Sequence, residues 1–290
     1  MLKELNKTVY KCRLITPLFS CGRSNEPELR ASSLKGAMRF WWRAINGNLS
    51  LDELRKKEAS LFGSSNIDIG RSPVNLRLIS KSIITRREKL LPHKDKGISS
   101  AFVPDSEIDI ILSDFLPSSE HTYYEHLLET TLLLGGIGKR VRRGFGSILI
   151  LEKNNEEYVT PENIEGISAL IALVNEECEV KREENKLSFF GTFPSEYPYI
   201  ETVEIGKAYS DYNNLLKKIG QVSHHVCLDG GSEYTGFAHF DKRLASPVYV
   251  SVIKLEENYH PLITTLHVAF QEGFHPVGRN KQREFKEAIL

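Results

Sequence analysis

The stretch Arg30–Arg43, RASSLKGAMRFWWR, constrains this chain most: its apolar residues recur at a helical period and its charged residues are all cationic. Leu34, Ala37, Met38, Trp41, Ala44 and Ile45 share one face and are expected to pack on a core. Lys35, Arg39 and Arg43 follow at i, i+4 and i+8 on the other, with Trp42 beside Lys35. Ser32 or Ser33 is the expected N-cap, because a hydroxyl there accepts from one of the unpaired N–H groups of the first turn. Gly47 is the expected stop. Stacked cations at i,i+4 repel by about 0.2–0.5 kcal/mol per pair, and this helix carries no carboxylate to relieve them. Its basic face is therefore expected to meet an anion, with the positive end of the helix dipole adding to the attraction. A solvated basic face over a core helix is the plainer alternative.

Segments of other periods surround this helix. Thr8–Thr16, Val74–Ser80, Ile108–Leu112 and Ser147–Leu151 read as strands. Leu51–Leu61 reads as a charged helix, and Glu120–Leu134 as a core helix with Leu127, Leu128, Thr131 and Leu134 on one side. The order strand–helix–strand–strand–helix–strand is that of a ferredoxin-like domain, shared with the RRM. Residues 81–106 lack a period and are expected to form a long loop. A helix is expected from Pro161 to about Glu176, then a loop or linker over the acidic run 176–186. Tyr199–Ile205, Val248–Leu255 and Leu262–Ala269 read as strands and Ala208–Ile219 as a helix, while 220–247 has no clear period. The expected class is α+β, with two ferredoxin-like (βαββαβ) units at 1–152 and 190–290, the second degraded, and a helix and linker at 153–189.

The 290 residues hold 38 Lys and Arg against 38 Asp and Glu, so any nucleic-acid binding must come from local patches and not from a global field. Two patches exist, 30–43 and Lys139–Arg143, while acid concentrates at Glu176–Glu177 and Glu183–Glu184. Cys12, Cys21, Cys178 and Cys227 form no C-x-x-C pair, which argues against a zinc knuckle or disulfide framework and for free thiols in a reducing cytoplasm. With no apolar leader core and no run near 18 apolar residues, neither export nor membrane insertion is expected.

Leu134–Gly146, LGGIGKRVRRGFG, sets glycines beside four cations, a composition that lets backbone approach phosphates closely. A Walker A loop would need Gly at 133 and Ser or Thr at 140, where Leu133 and Arg140 stand; a dinucleotide fingerprint would need Gly at Val141. Arg143-Gly144-Phe145-Gly146 resembles the start of the longer RRM motif, but Ser147 and Ile150 occupy its later stacking positions. Phosphate binding is the expectation, against a glycine turn with a solvated basic tip.

Arg30-x-x-Ser33-x-Lys35-Gly36-x-x-Arg39-Phe40-Trp41-Trp42-Arg43 resembles the signature of a RAMP-superfamily subunit of the type III-B (Cmr) CRISPR effector complex. Residues 135–146 resemble the glycine-rich loop of RAMP proteins, and Arg243–Pro247 resembles a short segment from the later part of that subunit. The resemblance covers the N-terminal half well and the C-terminal half thinly. It implies two ferredoxin-like domains and binding of guide and/or target RNA near the guide 3′ end. It also implies other Cmr subunits as partners, a role in antiviral defence, no nuclease activity, and no cofactor or metal. Carried over, the RNA-binding positions are Arg30, Lys35, Arg39, Trp42, Arg43, Gly136, Gly138, Lys139, Arg140, Arg142 and Arg143. Lys and Arg would contact phosphate and Trp42 would stack a base.

Two other classes compete. Some RAMP relatives cleave guide-RNA precursors without metal, and His224-His225 with Tyr234 nearby could supply acid–base chemistry on a 2′-hydroxyl. No H-x-x-x-H, HD pair or D-x-D offers a metal site; His239-Phe240-Asp241 is not the HD dyad, and His275-Pro276 and Cys227 read as structural. The second competitor is a protein-interaction module whose tryptophans bury in a neighbour, which salt would distinguish: phosphate contacts weaken steeply with ionic strength and apolar ones do not.

Overall fold

β1 (Asn6–Leu14) buries Thr8, Tyr10, Cys12 and Leu14 on one face, the alternation of a strand with one side on a core. A computed structural model describes residues 4–22, 26–65, 68–94, 96–191, 193, 196–228, 233–239, 242–269 and 279–290. The side chains of Cys227, His239 and Arg243, and residues Phe240, Asp241, His275 and Pro276, lie outside the described set.

After β1 come α1 (Ala31–Ile45), α2 (Leu51–Phe62), β2 (Asn75–Ser82), β3 (Thr85–Leu91), β4 (Lys96–Phe102), β5 (Glu107–Asp114), α3 (Ser118–Leu134), β6 (Ile148–Lys153) and β7 (Glu156–Glu157). Their sheet has the antiparallel order β2-β5-β1-β6-β7. Its first four strands are those of a ferredoxin-like unit, with α2 and the β3–β4 hairpin as insertions. The second half adds α4 (Ile164–Ala172), β8 (Glu179–Glu183), β9 (Lys186–Phe190), β10 (Ile200–Ile205) and α5 (Tyr212–Leu228). It ends with β11 (Phe237–His239), β12 (Lys242–Leu244), β13 (Val248–Leu255), β14 (Asn258–Leu266) and α6 (Asn280–Glu287). The order there is β13-β14-β10-β9-β8. β10, α5, β13, β14 and α6 follow the ferredoxin-like order, but the fourth strand position is filled by β9, which precedes β10 in the chain. That displaced strand is the sense in which the second unit is degraded.

Three expectations are corrected. Residues 81–106 contain the β3–β4 ribbon, whose two faces are mostly exposed, so it has no apolar alternation to read. The acidic run 176–186 runs into the β8–β9 hairpin, an edge whose charges guard against further pairing. α5 continues to Leu228, well past Ile219.

The two sheets share a core in which Trp41, Tyr249, Ile253 and Leu266 join the interior of the first unit. A second cluster joins Phe19, Ala101 and Phe145 of the first unit to Leu215, Ile219, Val250 and Phe285 of the second. Between the units, Gly144 N–H donates to the Val250 carbonyl (2.7 Å) and Ser251 Oγ to the Leu133 carbonyl (2.9 Å). Among the described residues no helix is long and apolar enough to cross a membrane, and no group of three or more His, Cys, Asp or Glu could hold a metal ion. Cys12, Cys21 and Cys178 are free thiols.

Candidate nucleic-acid interface

α1 buries Leu34, Met38, Trp41, Ala44 and Ile45 as its period requires, and Trp42 as well. Arg30, not a serine, is the N-cap, and no side chain caps the first turn. Asn46 ends the helix, its Nδ2 donating to the Trp42 carbonyl (2.8 Å), which puts Gly47 just beyond.

The basic face of α1 meets protein. Arg39 Nε lies 3.2 Å from Glu58 Oε1, and Arg43 Nη1 donates to both Glu58 oxygens (2.9 and 3.0 Å). Arg39 Nη2 also donates to the Phe62 and Gly63 carbonyls (each 3.2 Å), with its guanidinium 5.4 Å from the Phe62 ring. Lys35 Nζ donates to the Val74 carbonyl (2.7 Å), and burial, together with Arg39, lowers its pKa. The carboxylate missing from α1 is thus supplied by α2, and the cations join α1 to its neighbours. Trp42 is only 1% exposed and donates from Nε1 to Tyr123 Oη (2.8 Å), so its ring has no open face for a base. Its expected place beside Lys35 on a solvent face is corrected: the indole belongs to the core.

The glycine-rich segment closes on itself and on both units. Gly136 and Gly146 have φ of 94° and 70°, and a Cβ on either would sit 2.2 Å from the Gly146 carbonyl oxygen or 1.9 Å from that of Ile137. Only glycine permits that approach. Ile137 N–H donates to Gly146, Lys139 N–H to Phe19 and Gly146 N–H to Pro17 (3.1, 2.7 and 3.0 Å). These amides hold the loop in place, so they are already spent on protein carbonyls and not free for the expected wrapping of phosphate.

Those side chains diverge. Lys139 is exposed. The Arg142 guanidinium donates to the Ser246 carbonyl and lies 5.6 and 5.5 Å from the Phe40 and Tyr249 rings, with burial lowering its pKa. Arg143 donates to the Val248 and Thr235 carbonyls (3.1 and 3.3 Å), tying the loop to the second unit. Arg140 stands at φ 62°, its guanidinium 5.9 Å from Phe145, and burial lowers its pKa.

A groove of about 350 Å³ runs between the N-terminal half of α1 and the loop. Arg30, Ser33, Phe40, Lys139, Arg142 and Tyr249 line it, with Gly136 and Gly138 in its wall and no acidic residue among the described lining. The half-buried Phe40 ring beside three cations can meet a base and phosphates together, while Tyr249, 5% exposed, forms the wall behind it. Of the sequence-predicted positions, Arg30, Gly136, Gly138, Lys139 and Arg142 gather here; Lys35, Arg39, Trp42 and Arg43 turn toward β2, α2 and α3. Phe40 stood in the motif without being assigned a role. Tyr249, from β13, carried no local signal.

The histidine grouping separates. His225 Nε2 lies 3.5 Å from Glu284, Tyr234 stacks under Arg279 with 5.0 Å from guanidinium to ring, and His224 faces His93, with 5.7 Å between ring centroids.

The family model of the RAMP superfamily matches residues 11–149. The chain is similar to CRISPR system Cmr subunit Cmr1-1 of Pyrococcus furiosus, 26% identical over 88% of this chain and 84% of that one. Cmr subunit Cmr1-2 of the same organism is 29% identical over 50% of this chain and 95% of its own. Among solved structures, Cmr1 of P. furiosus in its apo form superposes with a TM-score of 0.62 at 21% identity, covering 98% of this chain and 96% of that one. A chain of the type III-B Cmr-beta complex bound to cognate target RNA and AMPPnP also gives 0.62, at 14% identity and 99% of both chains. At these identities the superpositions show the shared fold.

Proposed function

We propose that this chain is a non-catalytic RNA-binding subunit of a type III-B CRISPR (Cmr) ribonucleoprotein, acting in antiviral defence in the cytoplasm. Its partners are guide and target RNA, contacted near the guide 3′ end, and the other Cmr subunits. The observation that carries this is the groove between α1 and the glycine-rich loop, where Arg30, Lys139 and Arg142 stand with Phe40 and Tyr249 and no described carboxylate opposes them. The cations suit a sequence-independent grip on phosphates, and the half-buried Phe40 ring could stack a base at about 1–3 kcal/mol. The similarity to Cmr1 supports the assembly. A metal-independent ribonuclease would need His224 and His225 to converge on one scissile phosphate, and they face separate partners.

The test is photocrosslinking of 4-thiouridine RNA to the full chain, read by mass spectrometry. Crosslinks on the peptides holding Phe40 and Tyr249 are expected. Crosslinks confined to α2 and the far face of α1 would overturn the assignment.

A further inference from the structure

The cations of the glycine-rich loop alternate between two cavities. Lys139 and Arg142 line the groove, whereas Arg140 and Arg143 line a second cavity of about 360 Å³. Four parts of the chain build that second cavity: His93 and Lys94 at the tip of the β3–β4 hairpin, the loop itself, Gly220, Ser223 and His224 on α5, and Thr235 and Ser246 before β13. No acidic residue lies in its described lining.

Its polar atoms are left wanting. His93 Nδ1, Arg140 Nε and Ser223 Oγ are each buried without a hydrogen-bond partner among the described residues. Buried polar atoms are ordinarily satisfied, and these three stand on residues that line one cavity, where a small side-chain rotation toward a bound group would satisfy them. The seating of His93 is also specific. A Cβ on Gly220 would fall 2.3 Å from His93 Nδ1, so a glycine inside α5, a costly residue for a helix, lets the imidazole lie against it. Burial, together with His224, Lys94 and Arg140, pushes the His93 imidazole below its usual pKa. An anion would reverse the charge part of that effect.

The ligand's charge and shape follow. A guanidinium, an ammonium, a hydroxyl and two imidazoles from three elements line one cavity, and donors set on several sides suit an oxyanion such as phosphate, whose acceptor oxygens point several ways. The volume falls in the range of small-ligand sites, enough for a phosphate with a nucleoside attached. We propose that this cavity is a phosphate-binding site, in which Arg140, Lys94, Ser223, His93 and His224 hold the phosphate of a nucleotide or of an RNA chain. The RNA source rests on the function proposed above; the nucleotide source stands without it.

Calorimetric titration of the full chain with adenosine monophosphate, adenosine and inorganic phosphate tests the site. Adenosine monophosphate and phosphate should bind, with adenosine weaker than the monophosphate. Arg140→Gln should weaken the monophosphate about ten- to a hundredfold, the loss of one charged hydrogen bond. Gly220→Ala, which suits a helix but displaces His93, should weaken it similarly while the thermal midpoint holds or rises. Equal binding of adenosine and its monophosphate, or wild-type affinity in both folded variants, would overturn the proposal. If the chain ignores phosphate and the monophosphate yet binds RNA, the site fails and the RNA function stands. If it binds them as expected and ignores RNA, the RNA function fails and the site stands.

Discussion

Glu58 decides what the cations of α1 do. Its carboxylate meets Arg39 and Arg43 at a half-exposed contact, where such pairs contribute about 1 kcal/mol or less each. Glu58→Ala is expected to lower unfolding stability by about 1–2 kcal/mol, because two neighbouring guanidiniums lose their shared partner. Denaturant unfolding measures it, and an unchanged midpoint would show that the pairing contributes nothing. Asp114 gives a pH signature. Burial pushes its carboxyl up, but Asn6 (2.9 Å), the Leu116 N–H (3.1 Å) and the His121 ring (2.7 Å) outweigh that and hold it below the usual range. A folded pKa lower than the unfolded one contributes stability above about pH 4 that disappears as pH falls through the folded value. Asn6→Ala should therefore flatten the acid loss of stability; an identical acid profile would exclude Asp114 from it. At this scale the sequence disclosed charge but not partners. Glu58 stands too far along the chain from Arg39 and Arg43 for a helical pattern to pair them, and Trp42 looked solvent-facing because Tyr123, which takes its N–H, lies on another helix.

α1 was legible as an element because its apolar residues repeat at the pitch that buries them. The first unit was legible too, since its strands alternate against a single core. The β3–β4 and β8–β9 hairpins were not: their faces are largely exposed, so no period records them. The glycine-rich loop was recognised by composition, but its glycines serve close backbone packing more than phosphate cradling. Gly136→Ala and Gly146→Ala each force a positive φ on a side chain and a collision with a carbonyl oxygen. Each should cost more than about 2 kcal/mol. Wild-type thermal midpoints in both would contradict that packing.

Across the whole molecule, equal numbers of acids and bases leave binding to places where charge is gathered and unopposed. The groove is one, and it needs both units: α1 and the loop supply its cations, while Tyr249 comes from β13. Neither half of the sequence contains it alone, and the motif led to α1 while giving Lys35, Arg39 and Arg43 a face that packs on protein.

The most direct measurement is the slope of log binding constant against log salt for single-stranded RNA, taken for wild type, Arg30→Ala/Lys139→Ala and Arg39→Ala/Arg43→Ala. Removing one cation that neutralises a phosphate of a single strand lowers the slope by about 0.7, so the slope of the groove pair should fall by about 1.4. The second pair, still folded, should keep the wild-type slope. A full slope in the groove pair with a reduced one in the Arg39/Arg43 pair would put RNA on the opposite face of α1 and contradict the groove.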